Sequence, residues 1–254
     1  MRLTDPTNAN NTNAIQVELV TKRFRREENP REFFCAVNDV SFSIEKGSLT
    51  VIGGANGSGK SVLMCIISGL MKQSAGMVKV ASKPGLVFQD AATQILGETP
   101  REDVAVGVKN IGTPKKEIPA AVEQALQSVS LLEKADFPAE FLSGGEKRRL
   151  AVASILAMKR DIIIFDEPYA NLDYPGVTDV NRLISELHAQ GKTILLLTHE
   201  IEKCLALADH FIILQKGSLV FDGTPADALT QDLTQWSIRN PLSAYNKLSD
   251  LVWL

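Results

Sequence analysis

Three short stretches carry residue types whose spacing could do chemistry. The first is Gly54, Ala55, Asn56, Gly57, Ser58, Gly59, Lys60 and Ser61, a glycine-rich run that closes on a lysine and a hydroxyl. Glycines let backbone N–H groups converge on phosphate oxygens without side-chain interference, and a helix N-terminus just beyond adds partial positive charge. Lys60 would reach the β and γ phosphates of a nucleotide, and the Ser61 hydroxyl would ligate Mg2+. Glycine-rich runs also serve as plain strand-to-helix turns, but the complete spacing between an apolar strand and a helix argues for a phosphate cradle. The second stretch is Ile162–Phe165 followed by Asp166, Glu167 and Pro168, four apolar residues and then two carboxylates. Ligands of open α/β sheets bind at the C-terminal ends of strands. Asp166 is placed there to hold the Mg2+ shell, and Glu167 to orient or deprotonate a water attacking the γ phosphate. Alone the pair would equally be a solvated acidic loop; beside the cradle it reads as the other half of a metal–phosphate site. The third stretch is Leu142, Ser143, Gly144, Gly145 and Glu146. Ser143 is a helix N-cap by type, and a helix N-terminus carrying two glycines is also an anion site.

These groups need strands that end beside one another. Ile15–Leu19 alternates polar and apolar and predicts a first strand, with a charged loop over Lys22–Glu32. Val40–Ile44 and Ser48–Ile52 predict a strand pair joined at Glu45, Lys46 and Gly47, a hairpin signal. Val62–Leu70 has helical spacing, and Leu86–Phe88 reads as a short strand. From Thr99 to Leu142 the pattern turns to helices and loops, Ala120–Leu132 being amphipathic at a 3.6-residue period. Strand and helix then alternate: Ile162–Phe165, a helix over Pro175–Gln190, Thr193–Thr198, a helix over Ile201–Ala208 and a hairpin around Phe211–Phe221. Such alternation implies a parallel sheet covered on both faces.

Bulk properties narrow the classes. The 254 residues suffice for one large α/β domain or a core with a smaller subdomain. A net charge of −3 argues against nucleic acid as the main partner, because neutralising phosphates needs a basic surface. The Lys22–Arg26 cluster reads as solvated. The longest apolar stretches have the length of buried strands, far short of a membrane span. The polar, Asn-rich start is expected to be a disordered tail over residues 1–14 rather than a leader peptide. Cys35, Cys65 and Cys204 lie far apart without metal-ligand spacing and read as idle thiols.

The order of cradle, Leu142–Glu146, basic apolar helix and Asp–Glu strand resembles the ABC ATPase family, whose signature is LSGGQ. The resemblance covers nearly the whole chain. It implies an α/β P-loop NTPase fold: a RecA-like, mostly parallel sheet core, an antiparallel β subdomain and an inserted helical subdomain over about 95–155, within an ATPase domain over 15–240 and before a C-terminal tail over 241–254. It also implies that Ser143, Gly144, Gly145 and Glu146 are presented to the γ phosphate on a second copy, so that the working unit is a dimer. Gln89 matches the glutamine that senses Mg2+ and contacts a membrane partner; Asn171, Leu172 and Asp173 fit the loop that crosses the dimer interface. His199 matches the switch histidine at the γ phosphate, whereas His188 and His210 read as hydrogen-bonded structural residues. Adenine is expected to stack on Phe24, with Phe33 and Phe34 as weaker candidates. Val62 completes the nucleotide-binding set and stands where the family carries a second hydroxyl.

Within the family, Val87–Gly107 is similar to the ATPases of energy-coupling factor (ECF) importers, including Gln89 and the run Asp103-Val-Ala-Val-Gly. Those ATPases work in pairs with a transmembrane coupling protein and a substrate-binding membrane subunit, and import vitamins or transition-metal ions. The implied location is peripheral, on the cytoplasmic face of the cell membrane, with ATP and Mg2+ as ligands, no nucleic acid, and either a homodimer or a sister ATPase as partner. Asp90 and Ala91 depart from that group's Asn-Pro, Pro100 from its Val, and Glu146 from Gln. The rival expectations are a soluble ABC ATPase acting on DNA or ribosomes, an ATPase of another ABC transporter class, and a regulatory module that binds ATP without turnover. Intact Glu167 and His199 speak against the last.

Overall fold

The computed structural model describes residues 12–26, 28, 29 and 31–247. Expectations for residues 1–11 and 248–254 lie outside the described residues. The described residues form two sheets. One is antiparallel, in the order β2-β1-β4, built from β1 (Asn13–Arg25), β2 (Phe33–Glu45) and β4 (Ala75–Val80). The other has six strands in the order β5-β6-β7-β3-β8-β9: β3 (Leu49–Gly53), β5 (Gly85–Val87), β6 (Ile162–Asp166), β7 (Thr193–Leu197), β8 (His210–Gln215) and β9 (Ser218–Gly223). All its pairings are parallel except the β8–β9 hairpin.

The apolar runs predicted this burial on both faces. Along β6, Ile163 and Phe165 face one hydrophobic cluster while Ile162 and Ile164 face another, and β7 and β8 alternate in the same way. The first cluster is completed by α2 (Pro100–Asn110), α3 (Ile118–Ser128), α4 (Gly144–Ala157) and α5 (Tyr174–Ala189). The second is completed by α1 (Lys60–Ile67) and the inner face of the antiparallel sheet. Each fully buried Leu, Ile or Phe side chain contributes about 1.5–3 kcal/mol, which fixes the strand order with little help from individual polar contacts. Pro100 sits at the start of α2, where its missing N–H is harmless, and the Thr99 hydroxyl accepts the Glu102 N–H at 3.3 Å.

Several expectations are corrected. β1 takes in Asn13 and buried Ala14, earlier than the Ile15 boundary, and runs through Lys22 to Arg25 where a loop was expected. Its charged end stays ordered because Arg23, Phe24 and Arg25 pair with Cys35, Phe34 and Phe33 of β2. The Glu45–Gly47 turn makes no hairpin: β2 pairs with β1, and the chain then passes into the other sheet as β3, buried at every residue. The segment Ile201–Ala208 is not one helix but two 3-10 turns, Ile201–Lys203 and Leu205–Leu207, broken at Cys204. β4 was not foreseen; it is mostly exposed and carries no alternating apolar pattern. After α6 (Pro225–Leu229) the chain packs Trp236 on Phe221 and stacks the Arg239 guanidinium 4.2 Å from the Tyr245 ring.

Candidate nucleotide site

The sheet order β5-β6-β7-β3 lines up four C-terminal strand ends, and each delivers part of the predicted set. β3 runs into Gly54–Gly59, β6 ends on Asp166 and hands over to Glu167, β7 leads to Thr198 and His199, and β5 leads through Phe88 to Gln89. This is the edge where ligands of parallel sheets bind.

The cradle turns where only glycine fits. Gly54 has φ 142°, and a Cβ there would lie 2.3 Å from the Leu214 carbonyl oxygen. Gly59 has φ 102°, and a Cβ would lie 2.5 Å from the Ala36 carbonyl oxygen. Gly59 also caps α1 without a side chain, so the first-turn N–H groups are left for a ligand. Lys60 is 5% exposed; its ammonium donates to the carbonyls of Gly54 (2.7 Å) and Ala55 (3.3 Å) and lies 3.7 Å from Glu167 Oε1. Burial lowers the Lys60 pKa, partly opposed by Glu167 and Asp166. The Ser58 hydroxyl is buried with no hydrogen-bond partner among the described residues, and Val62 packs on the apolar cluster beneath.

Glu167 takes the left-handed conformation, φ 45°, which a bulky residue holds only when its surroundings over-determine it. They do. Its N–H donates to the Leu197 carbonyl at 2.8 Å, and Oε2 accepts from the Thr198 hydroxyl (2.9 Å) and the His199 N–H (3.3 Å). His199 Nδ1 lies 3.0 Å from the same oxygen. The carboxylate is thereby aimed from β6 across β7 towards Lys60. Next to it, the Ser61 hydroxyl donates to Asp166 Oδ1 at 3.4 Å. Burial, then the charge of Glu167, pushes Asp166 above the usual carboxylate range. The hydroxyl and carboxylate of Ser61 and Asp166 fit a hard divalent cation. Mg2+ at phosphate sites takes few protein ligands, completes its shell with phosphate and water oxygens, and would relieve the desolvated charge on Asp166.

Gln89 is exposed and lies with Asp166, Asn171, Gly144 and Arg148 around a cavity of about 540 Å³. Ser143 caps α4 and Gly144, Gly145 and Glu146 open it; the helix packs on α2, α3, α5 and β5. Ser143 and Glu146 form a capping box: the Ser143 hydroxyl accepts the Glu146 N–H at 3.2 Å, and Glu146 Oε2 accepts the Ser143 N–H at 2.9 Å. A Cβ on Gly144 or Gly145 would meet nothing within 4 Å among the described residues, so the turn's face is open there. Phe24 pairs with Phe34 across β1 and β2, under the Lys22 ammonium at 5.0 Å; Phe33 and Phe34 are more than half exposed. The two other histidines are paired with carboxylates, His188 with Asp209 and His210 with Asp222.

Three residues escaped the sequence reading. Thr198 holds Glu167, and its type and place before His199 were the only hint. Arg148 is 4% exposed, donates to the Gln89 carbonyl at 3.4 Å and leaves Nε and Nη1 without a partner among the described residues. It lies between Lys147 and Arg149, so nothing in the sequence set this one cation apart from its charged neighbours. Lys134 reaches Glu146 at 2.5 Å from twelve residues upstream, and nothing in the sequence announces that contact.

A mostly parallel sheet carrying a glycine cradle before a helix, with carboxylates and a histidine at adjoining strand ends, defines a P-loop NTPase. Residues 37–170 match the family model described as ABC transporter. The energy-coupling factor transporter ATP-binding protein EcfA2 of Methanospirillum hungatei is 38% identical over 210 residues, 77% of this chain and 53% of that protein. The chain thus spans about half of that relative's length. Among solved structures, cbiO1 of Clostridium perfringens, part of the ABC transporter complex cbiONQ, superposes with a TM-score of 0.77 at 28% identity, covering 87% of this chain and 92% of that one. A dimeric ATP-binding cassette in a post-hydrolysis state, bound to ADP and Pi, gives 0.73 at 26% identity, covering 83% and 98%. The chain belongs to the ABC transporter family, as one of its ATP-binding cassettes.

Proposed function

We propose that the chain binds and hydrolyses ATP and powers an ABC importer of ECF type for a vitamin or transition-metal ion. Gly54–Val62 hold the phosphates, with Lys60 on the β and γ groups. Ser61, Asp166 and Gln89 would hold Mg2+, which would supply positive charge to neutralise the phosphates. Glu167 orients and deprotonates the attacking water, Thr198 and His199 fix its carboxylate, and His199 contacts the γ phosphate. Phe24 stacks on adenine. Two copies, or one copy and a sister ATPase, face each other so that Ser143–Glu146 of each caps the nucleotide held by the other. The pair sits peripherally on the cytoplasmic face of the membrane, on a transmembrane coupling protein with its substrate-binding membrane subunit. The helical segment around α2–α4 is its inserted subdomain, and 15–240 the ATPase domain.

One observation carries the chemistry: Lys60, Glu167, Thr198 and His199 converge within hydrogen-bonding or ion-pair distance from three different strands. Among the described residues no helix is long and apolar enough to cross a membrane. The kinship with the ECF ATP-binding protein and cbiO1 supports the importer assignment. The experiment is purification of the tagged chain from detergent-solubilised membranes, with ATPase activity measured on the product. Retention of integral membrane proteins and Lys60-dependent turnover is the expected result. Turnover with no integral protein retained would overturn the transporter assignment in favour of a soluble ABC ATPase, and absence of turnover would overturn the enzyme assignment.

A further inference from the structure

The turn proposed to receive a phosphate carries a carboxylate of its own. Glu146 lies at the third position of α4, and its carboxylate is held at the same helix end that an incoming γ phosphate would approach. A helix N-terminus attracts either anion, so the two compete and repel. The fold does not need the negative charge, since a glutamine closes a capping box equally well. What balances the charge is Lys134, at the end of the 3-10 turn Leu132–Lys134. Its ammonium is 2.5 Å from Glu146 Oε1 and 5.5 Å from the centre of the Phe137 ring. Glu146 is largely buried in this arrangement while Lys134 stays half exposed, on the rim of the turn. An ion pair with one partner so exposed adds little to folding. A fixed cation beside an anion site acts instead on what that site can accept.

We propose that Lys134 is a positioning residue of the phosphate-capping turn: it neutralises Glu146 so that the open Ser143–Gly145 face can accept the γ phosphate held by a second copy. The inference rests on the two-copy site proposed above. Lys134 is fixed by Phe137 on one side and Glu146 on the other, and keeps donors free on its exposed side. Glu146 meanwhile stays on Ser143, so the capping box and the phosphate-accepting turn are maintained together.

The test is ATP-driven dimerisation of the full chain in a Glu167→Gln background, read by analytical ultracentrifugation with Mg-ATP at several salt concentrations. Lys134→Met is expected to weaken the dimer by about tenfold at low salt, with the deficit shrinking as screening rises. Adding Glu146→Gln to Lys134→Met should restore dimerisation, because the carboxylate is gone and the cap is kept. Circular dichroism of both variants should match the parent. A Lys134→Met protein that dimerises as well as its parent overturns the proposal. So does a double variant as weak as Lys134→Met, which would make Lys134 a packing residue on Phe137. If the Glu167→Gln parent itself stays monomeric with Mg-ATP, the two-copy reading has failed, and that outcome is distinct from a defect confined to Lys134.

Discussion

Replacing Thr198 with valine removes one buried hydroxyl and nothing else of that size from the site. Thr198 is fully buried, and its hydroxyl donates to Glu167 Oε2 at 2.9 Å while accepting the Glu200 N–H at 3.0 Å. A hydrogen bond to a charged group contributes roughly 1.5–3 kcal/mol. The lower figure applies here, because the His199 N–H and Nδ1 remain on the same oxygen. If that energy is lost where Glu167 meets the attacking water, the barrier rises by about 1.4 kcal/mol for each tenfold in rate. The expected kcat is therefore about tenfold lower. Nucleotide affinity should stay within about twofold, since Lys60 keeps its bonds to Gly54 and Ala55. Steady-state ATPase kinetics, with fluorescent-nucleotide binding and a thermal melt as fold control, separate these quantities. An unchanged kcat in a folded Thr198→Val protein would refute the claim that the hydroxyl holds Glu167 for chemistry. A loss appearing only in nucleotide affinity would refute it equally.

Three further outcomes are expected. Lys60→Ala should weaken nucleotide binding itself by at least about tenfold, because its buried ammonium at the head of the cradle is the charge proposed to meet the phosphates; equilibrium binding that matches the parent would remove Lys60 from the cradle. Gly59→Ala should lower the thermal midpoint by several degrees, about 2–4 °C for each kcal/mol, from its positive φ and the collision with the Ala36 carbonyl. Gly144→Ala, which meets nothing within 4 Å, is the matched control, and equal melts for the two would contradict the geometry. The Lys134 ammonium, with the Ser143 N–H, holds Glu146 below the ordinary glutamate pKa. A depressed folded-state pKa gives stability that is present above the ordinary value and lost as pH falls through the folded one. Glu146→Gln should therefore flatten the acid limb of urea stability below the ordinary glutamate pKa, by about 1 kcal/mol or less because Lys134 is half exposed; parallel limbs would show that the pair does not titrate as described.

What the sequence disclosed depended on how chemistry and burial coincide. Ile162–Asp166 was readable as a strand because both its faces are buried, so the apolar run needs no alternation, and the carboxylates mark where burial ends. Gly54–Ser61 was readable because Gly54 and Gly59 stand where a Cβ would collide with the backbone, and Gly57 takes a positive φ. The Glu45–Gly47 turn misled because a turn signal says where the chain bends, not which sheet takes the next strand. The charged end of β1 read as loop because its pairing with Phe33–Cys35 is a backbone property invisible in composition. The Cys204 break in Ile201–Ala208 lacks any glycine or proline to announce it. Lys134 and Glu146 meet only through the fold of the segment between them. Contacts of this kind are where the chain's own departures from the family pattern, such as Glu in place of Gln, become intelligible.

The most direct measurement mixes two disabled chains. A Lys60→Ala copy keeps its capping turn but has no working cradle, and a Gly144→Glu copy keeps its cradle but carries a bulky carboxylate on a turn with room for it. Each alone should be inactive. Mixed in equal amounts, they should recover roughly a quarter of the parent ATPase rate, because half of random dimers pair the two and each of those holds one intact site. Mixtures as inactive as their components, with paired dimers shown to form, or a parent chain hydrolysing at full rate as a strict monomer, would contradict a site built across two copies.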